Sequence, residues 1–523
     1  MPSLRRRGPS APIALCLALS LSPALAAAGP PVEAPAEPSA RCTPAPGVTC
    51  HPHWQLRAEY RLLGIGLSSL PVDELGTRLG QKAWTEQRLS VLGRYINDGL
   101  NLKFELGGYL FNGQLSGDVS SVGSVGGRLL YPRNHLDSFR RYEPRRAVLE
   151  WQSPIGLLRI GHTTNTWGYG ILANSGELEL DFDDARLGDL VERIAFATKP
   201  FGARSNLVTA LAFDVVYRDS NSSLVDGDVG LNAIASVFWQ QRSAFVGFFG
   251  TYRHQRDRDG DRINAAALDL HARMEHTFPA APVRVHAGFE VVTLLGQTNR
   301  VRPDARPEGV DIVSAGGVLR LGVEHSDRKF GITVDTGFAS GDNDSNDGTL
   351  RQHTLHPDFR VGMVLFPEVM GALSARNADR AADPARVGQP PAGTENLPTN
   401  GSVQNAVYVW PRVFFRPIPN LTFRAGLLYA RTVADFSAPF NTFRAGGISR
   451  TPFDAAGTSH DLGLEVQAGV RYTHELPKGF AIHAGLEWGH LFPGAAFNDA
   501  AGRGMVDIDR VVGRFVLEWR GEK

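Results

Sequence analysis

Cysteine occurs three times in these 523 residues, as Cys16, Cys42 and Cys50, all within the first fifty. A disulfide framework is thereby excluded from everything that follows, as is a thiolate metal centre. Long apolar runs are missing too. After the first 28 residues nothing approaches the ~18 apolar residues that a membrane helix requires. Net charge is absent, with 54 Lys and Arg against 54 Asp and Glu, which removes the basic field of a nucleic-acid binder. No nucleophile elbow, His-Glu-x-x-His or Walker pattern occurs, so the chain does not read as an enzyme. No composition break divides it into separate soluble domains.

What is present begins with a secretory signal over residues 1–28. Arg5, Arg6 and Arg7 precede an apolar stretch from Ile13 to Leu21 and a small-residue cleavage site at Ala24-Leu25-Ala26. Residues 29–53, rich in Pro and Ala, read as a disordered periplasmic lead-in. An oxidising compartment permits a disulfide between Cys42 and Cys50 there.

From Trp54 onward the chain alternates. Trp54, Leu56, Ala58, Tyr60 and Leu62 share one face; Gln55, Arg57, Glu59 and Arg61 share the other. Phe330, Ile332, Val334 and Phe338 repeat the pattern against Gly331, Thr333, Asp335 and Gly337, and a stretch of turn formers, 341–348, follows. Eighteen such strands are predicted, the last at about 506–519. Their connections alternate short and long. Asn97-Asp98-Gly99, Ser153-Pro154 and Pro477-Lys478 are short, whereas 112–144, 164–190, 341–404 and 433–460 are long. A soluble sandwich has no reason to sort loop length by parity, but an outer-membrane barrel does, with short periplasmic turns and long external loops. The fold class expected over 54–523 is therefore all-β: a transmembrane antiparallel up-and-down barrel of about 18 strands.

Lipid leaves backbone groups no partner, so a spanning sheet must close and turn its apolar side chains outward. In the last strand Val511, Gly513, Phe515, Leu517 and Trp519 fall outside. Strand 461–475 sends out Leu462, Leu464, Val466, Ala468, Val470 and Tyr472 and keeps Gln467 and Arg471 inside. The pore-lining set is then Arg57, Arg61, Arg88, Arg284, Arg424, Arg471 and Arg514 beside Glu59, Glu86, Glu290 and Glu518. Such residues either focus a field on a passing solute or pair across strands to hold the wall. The acidic run Glu177, Glu179, Asp181, Asp183 and Asp184 falls in a loop read as external. Asp342, Asp344 and Asp347 carry spaced oxygen ligands of the kind a Ca2+ loop uses, set against the reading as a solvated turn. No other cofactor is implied.

The segment Gly337-Phe338-Ala339-Ser340-Gly341-Asp342-Asn343, followed by Leu365-Phe366-Pro367, resembles the bacterial alginate-export porins. In that family a late strand ends in Ser-Gly-Asp and leads through an Asn/Asp-rich loop to a Phe-Pro segment. The resemblance implies an 18-stranded barrel and passage of a polysaccharide. The mixed signs inside widen the expected solute to a polar or anionic molecule, polysaccharide or oligosaccharide. The reading is an outer-membrane porin-like channel; the alternative is a structural or surface-interaction barrel plugged by its loops, without transport. Expected partners are outer-membrane lipid and lipopolysaccharide, the barrel-assembly machinery and the solute. Loop 341–404 is expected to be an external or plugging loop, with 356–370 folded into the mouth against Arg424 and Arg471.

Overall fold

The first strand, His53–Leu67, pairs antiparallel with the second on one edge and with the last, Ile508–Glu522, on the other, from Gln55 opposite Glu522 to Leu67 opposite Arg510. The sheet therefore closes on itself. The computed structural model describes residues 52–120, 122–123, 142–186, 188–302, 306, 308–344, 347–388 and 393–522. The signal, the lead-in, Cys42 and Cys50 lie outside the described residues.

Eighteen antiparallel strands form the ring, each joined to its sequence neighbours. A two-residue bridge, Thr349–Leu350, runs parallel to strand Val310–His325 and stays out of it. All eighteen expected strands are present, their ends displaced by at most six residues. Loop parity holds with one inversion: the long-loop-end connection 257–261 is shorter than the short-turn-end connection 199–206.

The alternation sets the faces. Phe330, Ile332, Phe338, Val511 and Phe515 are exposed on the outside, and Asp335, Val512 and Glu518 are buried inside. One side chain departs from the expected pattern. Leu462 points inward, because the register slips between Ala430 and Arg431 and Gly463 takes a φ of 103°, which favours glycine. Above that bulge the side-chain parity is reversed. Gln467 faces inward as expected and is buried; it accepts from Trp410 Nε1 at 2.7 Å and donates to Glu465 Oε1 at 2.7 Å.

The inner face is not polar throughout. Along the first strand Arg57, Glu59 and Arg61 give way to Leu63, Ile65 and Leu67, all buried. Strand Leu421–Thr432 likewise passes from Arg424 to Leu428 and Ala430. The long-loop half of the interior is thus apolar, and loop residues fill it as one core that includes Leu355, Met363, Leu365, Phe366, Val369 and Leu373.

Candidate functional site: two insertions meeting an arginine wall

Two connections from the long-loop end fold into the barrel. The first, 165–189, is a strap. Its opening turn is held by acids on the wall: Trp167 Nε1 donates to Asp269 Oδ1 at 2.9 Å, and the Tyr169 N–H donates to Glu290 Oε2. Trp167 stacks on Phe249 with centroids 5.2 Å apart, and Arg320 lies 4.6 Å from the Tyr169 ring centre. Gly168 has a φ of 57°, and a Cβ there would lie 2.3 Å from the Glu290 carboxylate, so only glycine lets the strap approach so closely.

The acidic run read as external is the strap's other leg, and it lies inside the barrel. Asp184 pairs with Arg61 and lies 3.9 Å from Arg88. Asp183 accepts from Arg510 Nη2 at 2.8 Å and lies 3.3 Å from Arg186, while its own N–H donates to Glu487 Oε2 at 2.8 Å. Asp181 meets Arg412 at 2.5 Å and Arg424 at 3.6 Å. Arg471 and Arg514 donate to the strap carbonyls of Leu180 and Asp183, at 2.9 and 2.6 Å. Arg88 donates to Ala185 O at 3.2 Å. The strap's carboxylates and carbonyls thus lie directly against the arginines of the wall.

Burial pushes the Asp184 carboxyl up, but Arg61, Arg88 and Arg514 outweigh it and hold it below the usual carboxylate range. Asp183 is buried too, and Arg186, Arg510 and Arg360 hold it well below that range. A carboxyl depressed on folding adds stability above its unfolded pKa and loses it as pH falls through the folded value. The contacts of Asp183 and Asp184 should therefore hold at neutral and mildly acidic pH and be lost only in strong acid. A spin label attached to Glu179→Cys at neutral pH, its mobility followed as the pH falls, checks this, and release already at about pH 6 would contradict it.

The second insertion spans 351–405. Its helical turn Leu365–Met370 runs into helix Gly371–Ala381. Pro367 has no N–H to offer Met363 O, four residues back, and that carbonyl instead accepts from Arg510 Nη1 at 3.1 Å. The Val369 N–H reaches back five residues to Val364 O, widening the turn. Glu465 accepts the N–H groups of Met363 and Leu365 at 2.5 and 2.8 Å, a carboxylate set where a helix begins and its dipole favours negative charge. Arg510 also pairs with Glu368 at 2.9 Å. At the mouth Arg376 and Arg380 reach Asp73 and Glu74 at 2.9 and 2.6 Å. The two insertions bind each other: His356 Nε2 lies 3.0 Å from Asp189, and Asp358 accepts the N–H groups of Arg186 and Gly188.

All of the expected pore-lining residues face inward, but in different settings. Arg57, half exposed, pairs with Glu518 at 2.9 Å; Arg61 also pairs with Glu59 at 2.6 Å; Glu86 pairs with Arg186 at 3.1 Å; Arg284 pairs with Glu324 at 2.6 Å. Glu290 is fully buried beneath Gly168 and Tyr169, so it anchors the strap and lines no opening. Arg424 and Arg471 meet the strap, whereas 356–370 meets Glu465 and Arg510. That reverses the expected partnership, because the strap lies between those arginines and the second insertion. The alternation put Arg510 and Glu465 on the inner face but gave them no role, and sequence reasoning missed Glu487 and Arg412, whose one visible signal was an inward parity.

Asp342 and Asp347 serve as turn acceptors, taking the N–H groups of Asp344 and Thr349 at 3.0 and 2.9 Å. Among the described residues no group of three His, Cys, Asp or Glu is placed to hold a metal ion.

Between strap and wall lies a cavity of about 20 Å³, lined by Asp184, Ala185 and Arg186 on one side and Arg61, Gln87, Arg88 and Asn112 on the other. That is room for about one water molecule.

No protein-family model and no curated protein matches the chain. Among solved structures it is similar to OccAB4 of Acinetobacter baumannii, at 11% identity over 92% of this chain and 100% of that one, TM-score 0.47. It is likewise similar to OccK5 (OpdH) of Pseudomonas aeruginosa, at 10% identity over 90% and 98%, TM-score 0.46. The outer membrane protein OprD of Pseudomonas aeruginosa is similar at 10% identity over 90% of this chain and 94% of that one, TM-score 0.45.

Proposed function

We propose that this chain is an outer-membrane channel through which a small polar or anionic solute passes between the strap and the arginine wall. The observation that carries the reading is that arginines from strands far apart in sequence, Arg61, Arg88, Arg412, Arg424, Arg471 and Arg514, converge on one acidic strap. Carboxylates already docked on guanidinium groups mark a surface complementary to a carboxylate or phosphate. The gap holds about one water while the strap is docked, and a passage opened by displacing the strap favours a small solute over a polymer such as alginate.

The closed sheet and apolar exterior support the membrane setting. Phe515→Arg, on the outer face, is expected to cost about 2–4 kcal/mol near the bilayer midplane. Less folded barrel should then be recovered in heat-modifiability gels, and normal recovery would remove the lipid-facing assignment.

In planar bilayers the purified protein should show a small, anion-preferring conductance, and Arg61→Gln with Arg88→Gln should shift selectivity towards cations. The apolar filling of the long-loop half favours a second reading, a plugged barrel without transport. Silence of both the native protein and strap variants would establish that reading instead.

A further inference from the structure

The hairpin joining strands Ala244–Arg256 and Arg262–Thr277 places two arginines side by side on the outside of the barrel. The register sets Arg256 opposite Arg262. Alternation puts both on the face that carries Tyr252, His254, Asn264 and Leu268, and both are exposed. Neither has an ion-pair partner among the described residues. The hairpin's own acids are committed elsewhere: Asp257 to Arg300 at 2.9 Å, Asp261 to Arg302, and Asp259 to Arg258 at 3.7 Å. Like charges directly opposite on adjacent strands destabilise a sheet, so this pair has an unexplained cost that an anion between the guanidinium groups would offset.

Its height on the wall indicates which anion. Phe248, Tyr252 and Leu268 are large, exposed apolar side chains below the pair. A polar row comes next, with His254 opposite Asn264, Asn264 opposite Gln297 and Gln297 opposite Asp311. The arginines stand one row higher, roughly 13 Å along the strand from Tyr252. Val229, opposite Arg256, exposes apolar surface beside them. A bilayer places its headgroups just beyond the aromatic belt, with acyl chains below.

We infer that Arg256 and Arg262 hold the phosphate of an outer-leaflet glycolipid whose acyl chains lie along Tyr252, Phe248 and Leu268. The inference rests on the outer-membrane reading above. The test incubates detergent-purified protein with bisphosphorylated lipid A, with its dephosphorylated form, or with lipid A plus excess inorganic phosphate, and measures co-eluting lipid by mass spectrometry. Native protein should retain the phosphorylated lipid, and Arg256→Gln with Arg262→Gln should lower retention about tenfold, or about 1.4 kcal/mol. Lysine at both positions should restore part of it. Equal retention by the glutamine variant, or of the dephosphorylated lipid, would overturn the inference; full displacement by inorganic phosphate would replace the lipid with a free anion. Heat-modifiability of the variant shows that it is folded. Conductance measured on the same preparations should not change, because both residues lie outside the lumen. A silent native protein would sink the channel reading while leaving the lipid result to stand.

Discussion

Arg510→Ala is expected to loosen both insertions at once. The Arg510 side chain is wholly buried and touches both of them. It donates to Asp183 on the strap at 2.8 Å and to Met363 O on the second insertion at 3.1 Å, and it pairs with Glu368 at 2.9 Å. Truncation takes one cation away from two buried carboxylates, Asp183 and Glu368, and reopens the carbonyl that Pro367 leaves free. Removing one partner of a buried ion network costs roughly 3–5 kcal/mol. The barrel's backbone ladder does not depend on this side chain, so the cost should fall on the lumen. The temperature of the heat-modifiability shift should drop, and the single-channel trace should become larger and noisier. Arg510→Lys keeps the charge but not the planar fork, and should fall between. A native-like trace and melting profile in Arg510→Ala would show that the insertions are held without this anchor.

Deletion of 356–388 should have the larger effect on conductance. The segment covers inward apolar side chains on several strands, among them Leu63, Leu428, Leu462, Leu491 and Ile508. Each loses up to about 1.5–3 kcal/mol of burial when the cover goes. A barrel of this strand number whose loops no longer fill it leaves an aqueous channel. The expected result is a conductance several-fold above native, together with clearly reduced thermal stability. The two readouts separate the roles of the segment: lost stability at unchanged conductance would make it a structural core that narrows nothing. Unchanged stability would show that the apolar inner face does not need this cover.

The strands, their number, their pairing order and their outward faces were legible in the sequence, because a strand's side-chain period is local and needs no partner to be read. Phe330, Ile332 and Phe338, or Val511 and Phe515, declare their face from spacing alone. The apolar turn of the inner face, Leu63, Ile65 and Leu67 following Arg61, was not expected, because alternation gives a side chain its face and does not say what covers it. The tertiary structure alone decided where the long connections go. The acidic run at 177–184 has the composition of a solvated loop, and only the closed ring brings to it arginines such as Arg510, 327 residues away. The slip at Gly463 was hidden for a related reason, since register is a property of two strands and the period of one carries no trace of it. Charge complementarity of this kind acts through space, between groups that the chain itself keeps apart, and so becomes readable only after the sheet has closed.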